Sequence, residues 1–155
     1  MGVTLKNPLN LGACNLANNL DKLKEAEEAG VSAMVYRSLF EEQIQLEDNE
    51  LTTQLEAYDD RHAEMINLFP KIEHGGPKEH LHNLKEVVDA LSIPVFASLN
   101  AVYKESWVEY ARLLEEVGVA GLELNFFSVP RDFDKSGHDV ILHQIENLKA
   151  VKAAV

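Results

Sequence analysis

Cysteine is nearly absent from this 155-residue chain, Cys14 being the single one. A lone thiol excludes an internal disulfide framework and any multi-thiolate metal site built within one chain. Basic residues are also scarce, with 14 Lys and Arg against 26 Asp and Glu, a formal net charge of −12. No two Lys or Arg are adjacent, so neither a groove that tracks nucleic-acid phosphates nor an anionic membrane surface is a favoured partner. No run approaches the roughly 18 apolar residues of a membrane span. The opening stretch from Met1 to Leu11 has one Lys and no long apolar core, unlike a secretory leader, so a cytoplasmic location is expected. The few glycines form neither G-x-G-x-x-G nor G-x-x-x-x-G-K-[ST], so the phosphate-cradling loops of doubly wound nucleotide-binding domains are missing.

What is present is enough apolar material for one core: 46% hydrophobic and 26% charged residues, the composition of a single globular domain. Short apolar runs alternate with longer amphipathic ones every 30 to 40 residues or so, the rhythm of βα units. The first strand is expected over Leu9–Ala13, followed by a helix through Leu20, Leu23 and Glu27 that Gly30 stops. The second covers Ala33–Tyr36 and ends at Arg37 and Ser38. The third runs from Pro94 to Leu99 after a helix with Leu81, Leu84, Val87, Val88 and Leu91 on one face. The fourth is Gly121–Phe126, after a helix bearing Trp107, Ala111 and Leu114 and closed by Gly118. A last helix carries Val140, Ile141, Ile145, Leu148 and Val151. The strands lack clean alternation, as expected of a parallel sheet covered by helices. From Leu39 to Pro77 the rhythm breaks into a charged excursion, expected to be partly helical around His62–Leu68.

Polar residues gather at the predicted strand ends: Cys14 and Asn15, Arg37 and Ser38, Asn100, then Asn125 and Ser128. In a parallel α/β fold that edge binds ligands. Four units fill only half of an eightfold βα barrel, which needs about 250 residues. The expected architecture is therefore α/β, a partial TIM barrel of about four βα units with a parallel sheet, spanning 1–155 as one domain.

Other clusters point to less. His80 and His82 are two apart on a predicted helix and face different sides, no H-E-x-x-H occurs, and no metal site is expected. Asp132, Asp134, Ser136 and Gly137 imitate the start of a calcium loop, but its closing Glu is replaced by His143. No base can be assigned to Cys14 as a nucleophile. The pairs Glu27–Glu28, Glu41–Glu42 and Glu115–Glu116 are expected on solvated helix faces.

Leu5-Lys6-Asn7-Pro8 leading to Gly12-Ala13-Cys14-Asn15, Val35-Tyr36-Arg37-Ser38-Leu39-Phe40, Ala97-Ser98-Leu99-Asn100 and Glu123-Leu124-Asn125 resemble the N-terminal half of the dihydroorotate dehydrogenase family. The runs Glu41–Leu46 and Asp60–Met65 look like the bacterial dihydroorotate dehydrogenase-like proteins. The resemblance extends from about Leu5 to about Ser136 and over about half of the family's barrel. It implies an FMN-dependent flavoprotein oxidoreductase acting on a CH–CH bond of a dihydropyrimidine-like small-molecule substrate, as in pyrimidine biosynthesis. Carried over, Ala13, Cys14, Arg37, Ser38, Asn100 and Asn125 would contact the flavin, Arg37 and Asn125 also the substrate, and Ser128 would be the base. Arg37 stands where the family presents a Lys, and Val129 separates Ser128 from Pro130 where the family has Pro directly after the base. The rival reading is a non-catalytic half-barrel that self-associates through its open edges, with a homodimer as the simplest outcome.

Overall fold

The computed structural model describes residues 2–45, 76–127 and 134–155. Four strands, β1 (Asn10–Leu11), β2 (Ala33–Phe40), β3 (Val95–Asn100) and β4 (Gly121–Leu124), form one sheet in the order β1-β2-β3-β4, with every neighbouring pair parallel. Helices α1 (Leu20–Glu28), α2 (Pro77–Ala90), α3 (Lys104–Val117) and α4 (Gly137–Ala154) complete the described units, with a 3-10 turn at Asn15–Asn18. The chain is thus α/β with an open, all-parallel sheet whose strands follow one another in sequence order, the winding of a partial βα barrel. A doubly wound sheet would reverse direction at a switch point, and this one does not.

Local chemistry accounts for the element ends. Asn19 caps α1, its side chain accepting from the Lys22 N–H at 3.1 Å. The helix stops where Gly30 takes φ +104°, with Gly30 N–H donating to Glu27 and Val31 N–H to Ala26, a Schellman arrangement. Pro77 starts α2, where its missing N–H costs nothing. Ser136 and Asp139 form a reciprocal capping box at the start of α4. The entering chain is tied down by buried Ser32, whose hydroxyl reaches the Asn7 and Leu9 carbonyls at 2.6 and 2.9 Å.

One side of the sheet carries the core. Met34, Tyr36, Leu39, Val95, Ala97 and Leu99 are buried against Leu84 and Val87 of α2 and Trp107, Ala111 and Leu114 of α3. Trp107 also meets the Phe126 ring, centroids 4.9 Å apart. The other side of the strands, called here the open face, bears Val35, Ser38, Phe96, Ser98, Gly121 and Glu123, as the cross-strand register dictates.

Three expectations change. β2 continues to Phe40 and fully buries Leu39, so the excursion starts later than the loss of periodicity suggested. An irregularity between Val35 and Ser38 causes this: Val35 pairs with Phe96 and Ser38 with Ser98, leaving Tyr36 and Arg37 together opposite Ala97. The extra residue is a β-bulge, rare between parallel strands, and it hides the alternation. The last helix, in turn, turns Val140, Gln144, Asn147 and Val151 inward and leaves Ile141, Leu142, Ile145 and Leu148 between 40% and 54% exposed. Of the apolar face read from its sequence, only Val151 is buried. The third change concerns Glu41, which is 3% exposed and not on a solvated face. Residues 41–45 are helical, and the helix expected around His62–Leu68 lies outside the described residues.

Candidate functional site

Because all four strands are parallel, their C-terminal ends share one edge, and Ala13, Cys14, Asn100 and Asn125 lie along it. Ala13 and Cys14 are exposed just after β1, Cys14 preceding the 3-10 turn. Asn100 ends β3 and is buried, its Nδ2 donating to the Asn125 carbonyl at 2.6 Å. That carbonyl also accepts from Phe127 N–H at 2.9 Å, while Asn125 N–H donates to Leu99 at 2.9 Å. Asn100 therefore fixes the turn that carries the exposed Asn125 beyond β4. Ser128 lies outside the described residues.

One layer below Asn100 on the open face, three side chains on adjacent strands form a row. Ser98 Oγ donates to Glu123 Oε1 at 2.8 Å, and Ser38 Oγ lies 2.7 Å from Ser98 Oγ. A serine hydroxyl has one proton, and a carboxylate only accepts. With the Ser98 proton committed to Glu123, Ser38 is the donor to Ser98. The row runs from Ser38 through fully buried Ser98 to Glu123, pairing residues that the register sets opposite one another. Ser98 and Glu123 were not singled out in the sequence. The signal was their position two residues before Asn100 and Asn125, which places them on the same side of their strands.

Arg37 and Ser38 are neighbours in sequence but the bulge separates them. Ser38 faces the open side, whereas Arg37 turns with Tyr36 into the helix layer. There the guanidinium carbon lies 5.9 Å from the Tyr36 ring centroid, and Nε is buried without a hydrogen-bond partner among the described residues. His80 on α2 packs its ring edge-on to Tyr36, centroids 5.3 Å apart, with 1% exposure and neither ring nitrogen partnered among the described residues. Burial, aided by the Arg37 charge, lowers its pKa to about 4. Burial likewise pushes the Tyr36 phenol above its ordinary value, with Arg37 pulling it back. His82, on the exposed side of the helix, lies 3.8 Å from Glu86. The two histidines thus face different sides, as their spacing implied.

Glu41 joins two strand ends. Its Oε2 accepts from Val102 N–H at 3.0 Å, and Oε1 accepts from Ser106 Oγ at 3.0 Å and Gln45 Nε2 at 2.8 Å. A buried carboxylate is tolerated where several donors meet it, and here they tether the β3–α3 connection to the end of β2. Glu27 is likewise engaged, accepting from Ser92 N–H at 3.0 Å across the α2–β3 turn, while Glu28, Glu42, Glu115 and Glu116 are exposed.

Among the described residues, no helix is long and apolar enough to cross a membrane, and no group of three or more His, Cys, Asp or Glu is placed to hold a metal ion. In comparisons with known proteins, no family model and no curated sequence matches the chain.

Proposed function

We propose that this chain forms half of an FMN-dependent oxidoreductase barrel of the dihydroorotate dehydrogenase-like kind, acting on a CH–CH bond of a dihydropyrimidine-like substrate. The observation that carries the reading is the winding. Four consecutive parallel strands in sequence order place Ala13, Cys14, Ser38, Asn100 and Asn125 at or near one edge, the edge where barrel enzymes keep their active sites.

The donor set fits the polar rim of a flavin ring. Asn amides and Ser hydroxyls both donate and accept, as a rim of alternating N–H and carbonyl groups requires. The strand residues of the open face include no Lys or Arg, since the one strand arginine, Arg37, is turned to the helix side. A flavin phosphate would therefore be held by barrel elements beyond these four strands. Bound FMN supplies a two-electron acceptor. Asn100 and Asn125 would orient the ring and substrate, and Ser128 would take the substrate's C–H proton, which at neutral pH requires a neighbouring group or water to receive the serine's own proton.

A self-associating half-barrel is the second reading, and it too rests on an observation. Neither β1 nor β4 is paired on its outer side among the described residues, and α4, packed on α3, exposes Ile141, Ile145 and Leu148. In a complete barrel, further βα units cover both strand edges and the apolar side of the last helix.

Titration of FMN with the purified chain, followed by quenching of flavin fluorescence with light scattering on the same sample, tests both. Saturable quenching that weakens about tenfold in Asn100→Ala is expected from the flavin reading. A defined dimer that quenches neither FMN nor phosphate-free riboflavin, whose ring needs only the strand-end donors present here, at concentrations up to about 100 µM, would replace it with the second.

A further inference from the structure

On the helix side of the sheet, remote from the row of serines, a cleft of about 290 Å³ opens between β2, the 3-10 turn and α2. Its polar lining is Asn18, Tyr36, Arg37, Glu79, Asn83 and Glu86. That size is at the small end of ligand pockets. Its charges have an unusual arrangement. Among the described residues, Arg37 has no carboxylate within ion-pair distance and its buried Nε has no hydrogen-bond partner. Glu79, Asn83 and Glu86 follow one another at i, i+4 and i+7 along one side of α2. Among the described residues, the ion-pair partner of Glu86 is the exposed imidazole of His82, at 3.8 Å.

The cleft therefore holds one cation and two anions that do not neutralise one another. Nε is itself shut off from the cleft, but Arg37 borders it, and a guanidinium meets a carboxylate with strong charge-assisted hydrogen bonds. A lone anion would be repelled by the two glutamates, and a lone cation would leave Arg37 unmatched. A small molecule with both charges satisfies all three. We propose that this cleft binds a small zwitterion of the free α-amino acid class, its carboxylate on Arg37 and its ammonium between Glu79 and Glu86. Asn18 and Asn83 add amide donors and acceptors around it. The bulge builds the site: without the extra residue, Arg37 would not share the helix layer with Tyr36. His80, buried behind the Tyr36 ring and unprotonated near neutral pH, adds no competing positive charge.

The test is isothermal titration calorimetry and thermal unfolding of the full chain with the common L-amino acids. The best binder is then compared with its decarboxylated amine and its deaminated acid. At least one amino acid is expected to bind saturably and raise the melting temperature, with each half-molecule at least about tenfold weaker. Arg37→Gln and Glu86→Gln should each weaken binding about tenfold or more. Glu86 is exposed, so its replacement leaves the fold intact even if Arg37→Gln does not. Absence of any saturable binding, equal binding of a half-molecule, or full affinity in Glu86→Gln would overturn the proposal. Flavin binding is not involved in any of these outcomes, because the cleft is on the opposite side of the sheet from the open face.

Discussion

Ser98 on β3 donates a 2.8 Å hydrogen bond to Glu123 on β4 while standing 2.7 Å from Ser38 on β2, so one fully buried hydroxyl links the three longest strands across the open face. Removing it breaks two hydrogen bonds and strands the Ser38 hydroxyl. Ser98→Ala is expected to cost about 1 to 2 kcal/mol in urea unfolding. Glu123→Gln keeps an acceptor at the same place and should cost less than about 0.5 kcal/mol. If the two variants lose equal stability, the charge of Glu123 and not the hydrogen bond holds the row.

His80 makes folding sensitive to acid. Its folded pKa of about 4 lies below the ordinary 6.5. Above 6.5 the imidazole is neutral in both states and contributes no pH dependence. Below 6.5 the unfolded chain takes up a proton that the folded protein refuses until about 4, so stability falls across that window by roughly 3 kcal/mol. Denaturant midpoints at pH 7 and pH 4.5 measure the loss, and His80→Leu should show a smaller difference between them than the parent. The facing groups are Tyr36 and Arg37, and Arg37 stays charged throughout the range.

Glu41 tethers Val102 and Ser106 to the end of β2. Glu41→Ala leaves the Val102 N–H and the Ser106 hydroxyl without their acceptor and should destabilise the protein by about 1 to 3 kcal/mol. Glu41→Gln retains one acceptor oxygen and should recover about half of that. Hydrogen exchange of the Val102 amide gives the local readout: faster exchange in Glu41→Ala than in Glu41→Gln is expected.

A side chain at Gly121 would be crowded, since a Cβ there would lie 3.1 Å from two ring atoms of Phe96. Its neighbour on the open face is a rigid ring, so Gly121→Val should cost about 1 to 3 kcal/mol. Adding Phe96→Leu to that variant should return part of the loss. A double-mutant cycle with no coupling would mean that the ring moves aside freely.

Much of this protein is legible in its residues. Apolar runs and helical stripes give four βα units in order, because burial demands a period of two in strands and 3.6 in helices. Asn19, Gly30, Pro77 and Gly118 mark element ends through backbone chemistry that acts over a few residues. The polar strand ends, from Cys14 to Asn125, were visible for the same reason. Tertiary structure decided what periodicity does not carry. It inserted one residue into β2, sending Arg37 to the helix side and Ser38 to the open face, because a strand's register is set by its partner and not by its own sequence. It buried Glu41 by bringing donors from some sixty residues away, and it chose Val140, Gln144, Asn147 and Val151 over a more apolar stripe as the inward side of α4. Local sequence determines which elements form; which side chains meet depends on contacts between elements, and those contacts exist only once the chain has folded.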